Sequence, residues 1–285
     1  MLTIASLTLH EAVRRRVVPA ALVLSLAFIA LSAWGFWHIT TALADRNGGT
    51  IPEYERAGTF SVLTMLLAYM FSVVLAVGAA FLAAPSIAGD AESGVLLAMV
   101  PRPLRRSDVV LGKWLGLATL LAAYALAVGA LELLVVAALT GYRPPHPALA
   151  LGYLVAEALV LLTLALWFST RLPPIAGGIL ALGLFGVAWI AGVAGTIGAA
   201  LGNQAVVDGA TVVNLLVPSD VLWRGALWSL EPAALAALAG SADALGRSGP
   251  FAVAGPPPPA LLGWSVLWTA AILGAAVFSF QRRDL

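Results

Sequence analysis

Residues 109–139 read VVLGKWLGLATLLAAYALAVGALELLVVAAL, and this uninterrupted apolar run decides the fold class. Only Lys113 and Glu132 carry a charge within it. About 20 apolar residues in a helix cross the hydrocarbon core of a bilayer, whereas a strand of a membrane barrel alternates apolar and polar residues. The run therefore predicts a helix that crosses a membrane.

The composition of the chain extends this prediction to the other residues. Of its 285 residues, 61% are hydrophobic and 10% are charged, and the mean hydropathy is +0.98. Soluble domains carry about 25% charged residues, so we predict an all-α integral membrane protein. The net charge of +1 gives no sign of a nucleic-acid partner, and the absence of cysteine excludes disulfides and thiolate metal sites.

We predict a single transmembrane domain over residues 1–285 with six spans. The spans are about 17–37, 61–88, 109–139, 149–170, 174–200 and 261–280. With the N-terminus in the cytoplasm, ten of the fifteen lysines and arginines lie inside and five outside, as the positive-inside rule requires. Both termini are then cytoplasmic, in the cell (plasma or inner) membrane. The connection 38–60, with a turn at Asn47-Gly48-Gly49, and the segment 201–260 are then external.

The connection between the second and third spans is unusually rich in charge. It reads ESGVLLAMVPRPLRRSDVVLGK from Glu92 to Lys113. Apolar residues such as Val95, Leu96 and Met99 recur at helical spacing before two prolines, which predicts a short cytoplasmic helix over about 91–100. Two interpretations stay open: a loop held by its arginines on anionic lipid, or a docking helix that transmits the push of a cytoplasmic partner.

The external segment 201–260 contains a second amphipathic helix. In NLLVPSDVLWRGALWSL, Ser219 or Asp220 is expected to cap a helix over about 221–230. One face of that helix would consist of Leu222, Trp223, Ala226, Leu227 and Leu230. Such a helix either rests on the bundle or the headgroups or forms a lid over a translocation path.

Two carboxylates fall well inside predicted spans, Glu132 in the third and Glu157 in the fourth. Both lie on the order of 10–12 Å below the outer surface, and intramembrane carboxylates are functional candidates. They either line a pathway for a cationic or polar substrate or form a hydrogen-bonded pair, with Tyr153, that fixes helix packing. The three histidines lack metal-ligand spacing, so we expect no metal site.

Small residues recur every four positions in two spans. In the fifth span they are Ala188, Gly192, Thr196 and Ala200, and in the third they are Gly112 and Gly116. Small residues at this spacing allow close contact between helices in a membrane. The contact is either within one subunit or between subunits.

The central connection also resembles a known family. The order E-x-G-x-L-x(6)-P-x-x-R-x-D/E-V-x-x-G-K is similar to the segment after the second span in ABC transporter permeases of the type-2 family. The matching residues are Glu92, Gly94, Leu96, Pro103, Arg106, Asp108, Val109, Gly112 and Lys113. The ending FSFQRRDL resembles the exit of the family's last span, and TLHEAVRRR resembles its amphipathic N-terminal helix, with Glu11 and Arg14 in the expected places.

The resemblance implies the transmembrane subunit of an ATP-driven exporter, and a coupling helix that contacts a separate cytoplasmic ATPase. The residues implied in this coupling are Glu92, Gly94, Val95, Leu96, Met99, Pro103, Arg106 and Lys113. ATP and magnesium would bind the ATPase chain, and a second permease copy, identical or related, would complete the pathway. The residues agree, because the one Gly-Lys pair, Gly112-Lys113, is followed by Trp114 and is no P-loop.

Three other functions compete with the exporter. A membrane enzyme is disfavoured because no D-x-x-D cluster exists. A stand-alone ion-coupled carrier would show inverted repeats, which are absent, although Glu132 and Glu157 keep it open. In a variant of the exporter, the permease passes mechanical work to an external accessory protein during cofactor maturation, such as copper-site assembly for nitrous oxide reductase.

Overall fold

The computed structural model describes residues 1–14, 17–92, 105–232, 253 and 255–282, and the regular structure within them is helical. The helices of this described part are α1 Leu2–Arg14, α2 Val17–Arg46, α3 Glu53–Glu92, α4 Arg106–Thr140, α5 Pro147–Ser169, α6 Pro174–Ala200, α7 Gln204–Leu216, α8 Ser219–Leu230 and α9 Pro259–Gln281. Six of them, α2 to α6 and α9, are long and apolar enough to span a membrane. The prediction of an all-helical protein with six spans is confirmed.

The connection between α2 and α3, predicted over 38–60, is much shorter than expected, because both helices extend beyond the apolar residues. The helices leave a turn at Asn47 to Gly49, where Gly48 and Gly49 have φ of 71° and 100°. These angles suit glycine, which has no Cβ. At 1.5 Å per residue the 40 residues of α3 extend about 60 Å, twice the hydrocarbon thickness of about 30 Å. Polar residues at its two ends continue the helix beyond the apolar run, and α3 also continues through Pro85.

The core of the bundle lies where α3, α4 and α5 meet. Alanines of α3, including Ala76, Ala79 and Ala83, are 1% exposed or less, and they allow α5 to approach closely. By contrast, α2 has an exposed apolar surface formed by Leu22, Val23, Leu24, Leu26 and Leu31. In a spanning helix such a surface faces lipid or another membrane chain.

The helix predicted over about 221–230 is α8, and it packs on the bundle, which is one of the expected placements. The predicted apolar face is buried, but Ser229 and Asp220 are buried too, at 0% and 3% exposure. The helix therefore packs into the bundle and does not rest on headgroups. It is bent by 103° against α7, at the break that contains Pro218. The predicted cap is wrong: Pro218 is the N-cap residue, no side chain caps the helix, and Asp220 bonds Arg224 instead.

Several of the predicted small residues contact other helices of the same chain. A Cβ at Gly112 would lie 2.8 Å from Ile4, and one at Gly116 would lie 2.6 Å from the Ala5 carbonyl, so both glycines allow α1 to contact α4. In α6, Gly192 abuts Asp220 of α8. These positions serve packing inside one subunit. Ala200, at the end of the predicted stripe, is exposed.

Candidate functional site

The residues implied in coupling fall at and between the ends of α3 and α4. Gly94, Val95, Leu96, Met99 and Pro103 lie outside the described residues, so their predicted helix and role stay predictions. Glu92 is the last residue of α3 and is exposed. Arg106 is the first residue of α4. The described residues therefore include the two ends of the coupling segment, Glu92 at the end of α3 and Arg106 at the start of α4.

A buried ion pair joins α3 and α4 close to the helix ends that flank the coupling segment. The Lys113 ammonium of α4 donates to the Asp90 carboxylate and to the Ser86 carbonyl, both on α3. The side chains of Lys113 and Asp90 are 8% and 16% exposed. A buried charge that loses its partner costs about 3–5 kcal/mol. The pair therefore holds the end of α3 and the beginning of α4 at one fixed separation.

The N-terminal helix α1 completes this inner site. Glu11, Thr8 and Ala12 of α1 line a cavity of about 20 Å³ with Lys113 and Ser86. A volume of this size accommodates one water molecule. Glu11 and Lys113, both implied by the resemblance, thus line the same small cavity, where α1 faces α3 and α4. Arg14 ends α1, and its side chain lies outside the described residues.

Arg106 contacts a different part of the molecule. Its guanidinium donates to the carbonyls of Gln281, at 2.9 Å, and Phe280, at 3.4 Å. A cation at the C-terminal end of a helix is favourable because the last carbonyls carry partial negative charge. Arg171 adds a bond of 2.7 Å from its Nε to the Ser279 hydroxyl. The inner ends of α4 and α5 are therefore both tied to the end of α9.

The two intramembrane carboxylates occupy different surroundings. The Glu157 carboxylate, 2% exposed, accepts the Ser72 hydroxyl at 3.0 Å from each oxygen. Glu132 is 5% exposed and lines a separate small cavity beside Leu154 and Leu230. Glu157 is not among the described residues that line this cavity, so the two carboxylates do not meet there. Tyr153 instead packs against Gly225.

Two features of the site were missed by sequence reasoning. The partner of Lys113 is Asp90, 23 residues earlier, and no local signal links the two. The second feature is a network around Arg224, whose Nε donates to Asp220 at 2.7 Å and whose Nη2 donates to Thr196 at 2.8 Å and to the Gly192 carbonyl. The Asp220–Arg224 spacing of i, i+4 on a helix was a signal that pointed to it.

The described residues contain no group of three or more histidines, aspartates or glutamates that could hold a metal ion. The charges of the inner site are instead paired with one another and with backbone carbonyls. Such an arrangement can transmit movement and position helices.

The chain belongs to the ABC-2 family of transporters, because the family model described as "ABC-2 family transporter protein" matches residues 2–285. It is accordingly a multi-pass protein of the plasma membrane with a permease role in transport. A comparison with curated proteins gives no match.

Proposed function

We propose that this chain is the permease subunit of an ATP-driven exporter, and that a separate cytoplasmic ATPase acts on its coupling segment at about 91–100. The observation that carries the proposal is the buried Asp90–Lys113 pair. Asp90 lies two residues before the end of α3 and Lys113 lies seven residues after the start of α4. A force applied to the segment between them acts on both helices, because their ends are joined by a contact that is costly to break.

The N-terminal helix extends the same unit. Gly112 and Gly116 of α4 contact α1 closely, so α1 and α4 cannot separate without losing this packing. Glu11 lines the same cavity as Lys113 of the ion pair. We infer that α1, α3 and α4 move as one body when the ATPase acts on them. This joint movement accounts for the match of Glu11 to the N-terminal helix of the family.

The remaining parts of the complex are supplied by other chains. ATP and magnesium bind the ATPase, and export is the direction implied by the family. A second permease copy, identical or related, completes the pathway, and the exposed apolar surface of α2 supports such a membrane partner.

The test uses the wild-type chain purified together with the ATPase that assembles with it. The rate of magnesium-ATP hydrolysis is compared between the complex and the isolated ATPase, for the wild type and for a Glu92→Ala, Gly94→Val double variant. We expect the wild-type permease to change the rate and the double variant to lose most of that change, because the coupling contact is altered.

The matched control replaces the same two residue types at the outer end of α3. Glu53→Ala with Gly58→Val changes an exposed glutamate and a glycine whose added Cβ meets no atom within 4 Å. This variant should behave as the wild type. The docking role is wrong if the Glu92, Gly94 variant assembles and its hydrolysis responds as before. Transport by the purified chain without any ATPase would favour the ion-coupled carrier.

A further inference from the structure

An apolar slot, the α2–α3 slot, lies between α2 and α3 in the half of the bundle toward the predicted outer side. Its volume is about 210 Å³, whereas the cavities at Lys113 and Glu132 have volumes of about 20 and 10 Å³. The residues that line the slot recur every three or four positions, from Phe28 to Ile39 on α2 and from Leu63 to Met70 on α3. One face of each helix therefore forms one wall of the slot.

The slot is closed toward the core of the bundle and open on the other side. Phe36 and Leu67 are 6% and 7% exposed and form its floor. The Phe36 ring also contacts the Phe60 ring, with 6.3 Å between the ring centres. Leu66 and Met70, in contrast, are exposed at its rim. In a protein that spans a membrane, this open side faces the hydrocarbon of the bilayer.

The lining of the slot selects an apolar guest. Among the described residues that line it, Ser32 alone has a polar side chain. The Ser32 hydroxyl already donates to the Phe28 carbonyl at 2.8 Å, so a guest meets no charge and no free side-chain donor. A polar guest would give up its hydrogen bonds to water without replacing them.

The length of the slot matches one leaflet of a bilayer. Ile39 follows Phe28 by 11 residues, which corresponds to about 16 Å along α2. One leaflet supplies about 15 Å of the hydrocarbon thickness. The stacked rings of Trp34 and His38 lie beside the outer end of the slot along α2, where aromatic residues are typical of the interface with water. The slot thus extends from the predicted outer boundary to about the middle of the membrane.

The shape of the slot favours a thin linear guest. An apolar cavity of about 150 Å³ accommodates benzene, so the slot has room for an apolar chain, but drug-sized ligands occupy pockets of about 300–1,000 Å³. At Gly35, midway along the lining, an added Cβ would meet no atom within 4 Å. A second permease copy would insert single side chains across the slot, whereas an acyl chain of a lipid lies along it.

We propose that the α2–α3 slot binds one acyl chain of a membrane phospholipid, with the ester end of the chain toward Ile39. The bound chain completes the packing of α2 in this half of the membrane. Toward the other half, the hydroxyls of Ser25 and Tyr124 form a hydrogen bond that joins α2 to α4. The lipid site is independent of the ATPase and of the direction of transport.

The test labels the full chain with lipid in phosphatidylcholine nanodiscs. A small fraction of the phosphatidylcholine carries a photoreactive diazirine in the middle of one acyl chain, and mass spectrometry of peptides measures the labelling after irradiation. The reference is Val266 and Leu267 of α9, which are 70% and 65% exposed and contact the lipid that surrounds the protein. We expect residues 28–39 and 63–70 to be labelled at least about fivefold more than this reference, as a preference of about 1 kcal/mol would give.

A pair of variants then assigns the labelling to the slot. Gly35→Phe places a ring in the slot without displacing a neighbour, so labelling of the slot should fall to that of the reference. Gly183→Phe is the matched control, because Gly183 is exposed on α6 and its added Cβ also meets no atom within 4 Å. This control should keep the wild-type ratio.

The wild-type ratio decides the proposal even if Gly35→Phe does not fold. Equal labelling of the slot and of α9 would show surrounding lipid only. Labelling of the slot below the reference would show that another protein chain covers it. Either result, or an unchanged ratio in a folded Gly35→Phe variant, would overturn the proposal.

Discussion

Two buried ion pairs, one near each predicted face of the membrane, use the same chemistry for different purposes. The inner pair, Asp90–Lys113, joins two helices on either side of the coupling segment. The outer pair, Asp220–Arg224, lies within α8 at 2.7 Å, and its arginine also bonds α6. Under the proposed function the inner pair would relay force between helices, whereas the outer pair holds one short helix against its neighbour. Variants that break one pair at a time should distinguish an ion pair that transmits force from one that only stabilises a helix.

The largest effect is expected from Lys113→Met. Removing the buried ammonium leaves the Asp90 carboxylate without its cation, so the free energy of unfolding should fall by about 3–5 kcal/mol. The response of ATP hydrolysis to the permease should also be lost. Denaturant unfolding in micelles and hydrolysis by the assembled complex measure the two effects.

The double variant Asp90→Leu with Lys113→Met is the control for charge burial. Removing both charges should restore much of the stability, while coupling stays impaired because the two helices are no longer joined. A double variant with normal coupling would show that the pair serves stability alone.

A smaller effect is expected from Arg224→Met at the outer pair. The Arg224 side chain is 27% exposed, and Asn214 still donates to Asp220 at 3.4 Å, so we expect a loss of about 2 kcal/mol. Amide hydrogen exchange should rise within residues 204–230, while the ATPase response changes less than about twofold. If the Arg224 variant uncoupled the ATPase as strongly as Lys113→Met, the distinction between the two pairs would fail.

The contact of α1 with the inner site can be weakened without touching a charge. Gly116→Ala places a Cβ 2.6 Å from the Ala5 carbonyl, and such overpacking costs about 1–3 kcal/mol. Gly183→Ala is the matched change, because nothing lies within 4 Å of its Cβ, and it should stabilise its helix by up to about 1 kcal/mol. Thermal unfolding of both variants checks the difference, and equal effects would contradict the close contact.

The smallest effect concerns pH at the outer side. Burial raises the pKa of the Glu231 carboxyl to about 7 from 4.5, although a hydrogen bond from the Val253 backbone acts in the opposite direction. Between these two values the unfolded chain loses the proton while the folded chain keeps it. Stability should therefore fall as pH rises from about 4.5 to 7, by roughly 1 kcal/mol after discounting for solvent.

The measurement is the unfolding midpoint between pH 4.5 and 8 for the wild type and for Glu231→Gln. The variant cannot ionise at this position, so its dependence on pH in that window should be weaker. An identical pH dependence in both proteins would remove Glu231 as the cause.

The spans were predictable because their signals are local. Each apolar run is continuous along the chain, so six helices followed from composition and length. The helix ends were less predictable: α2 continues to Arg46 through polar residues that carry no membrane signal. For α8, the buried apolar face was predicted correctly, whereas burial of Asp220 and Ser229 was not, because it depends on the helices around α8.

The amino-acid sequence alone determined that this protein has six helices long and apolar enough to cross a membrane, and that a charged connection with two prolines lies between the second and third of them. A long apolar helix is stable in lipid wherever its neighbours lie, because its backbone hydrogen bonds are satisfied within the helix. Only the tertiary structure decided that Lys113 meets Asp90, that Glu132 and Glu157 have different surroundings, and that glycines of α4 serve α1. These contacts join residues far apart in the chain, and the packing of one helix against another selects them.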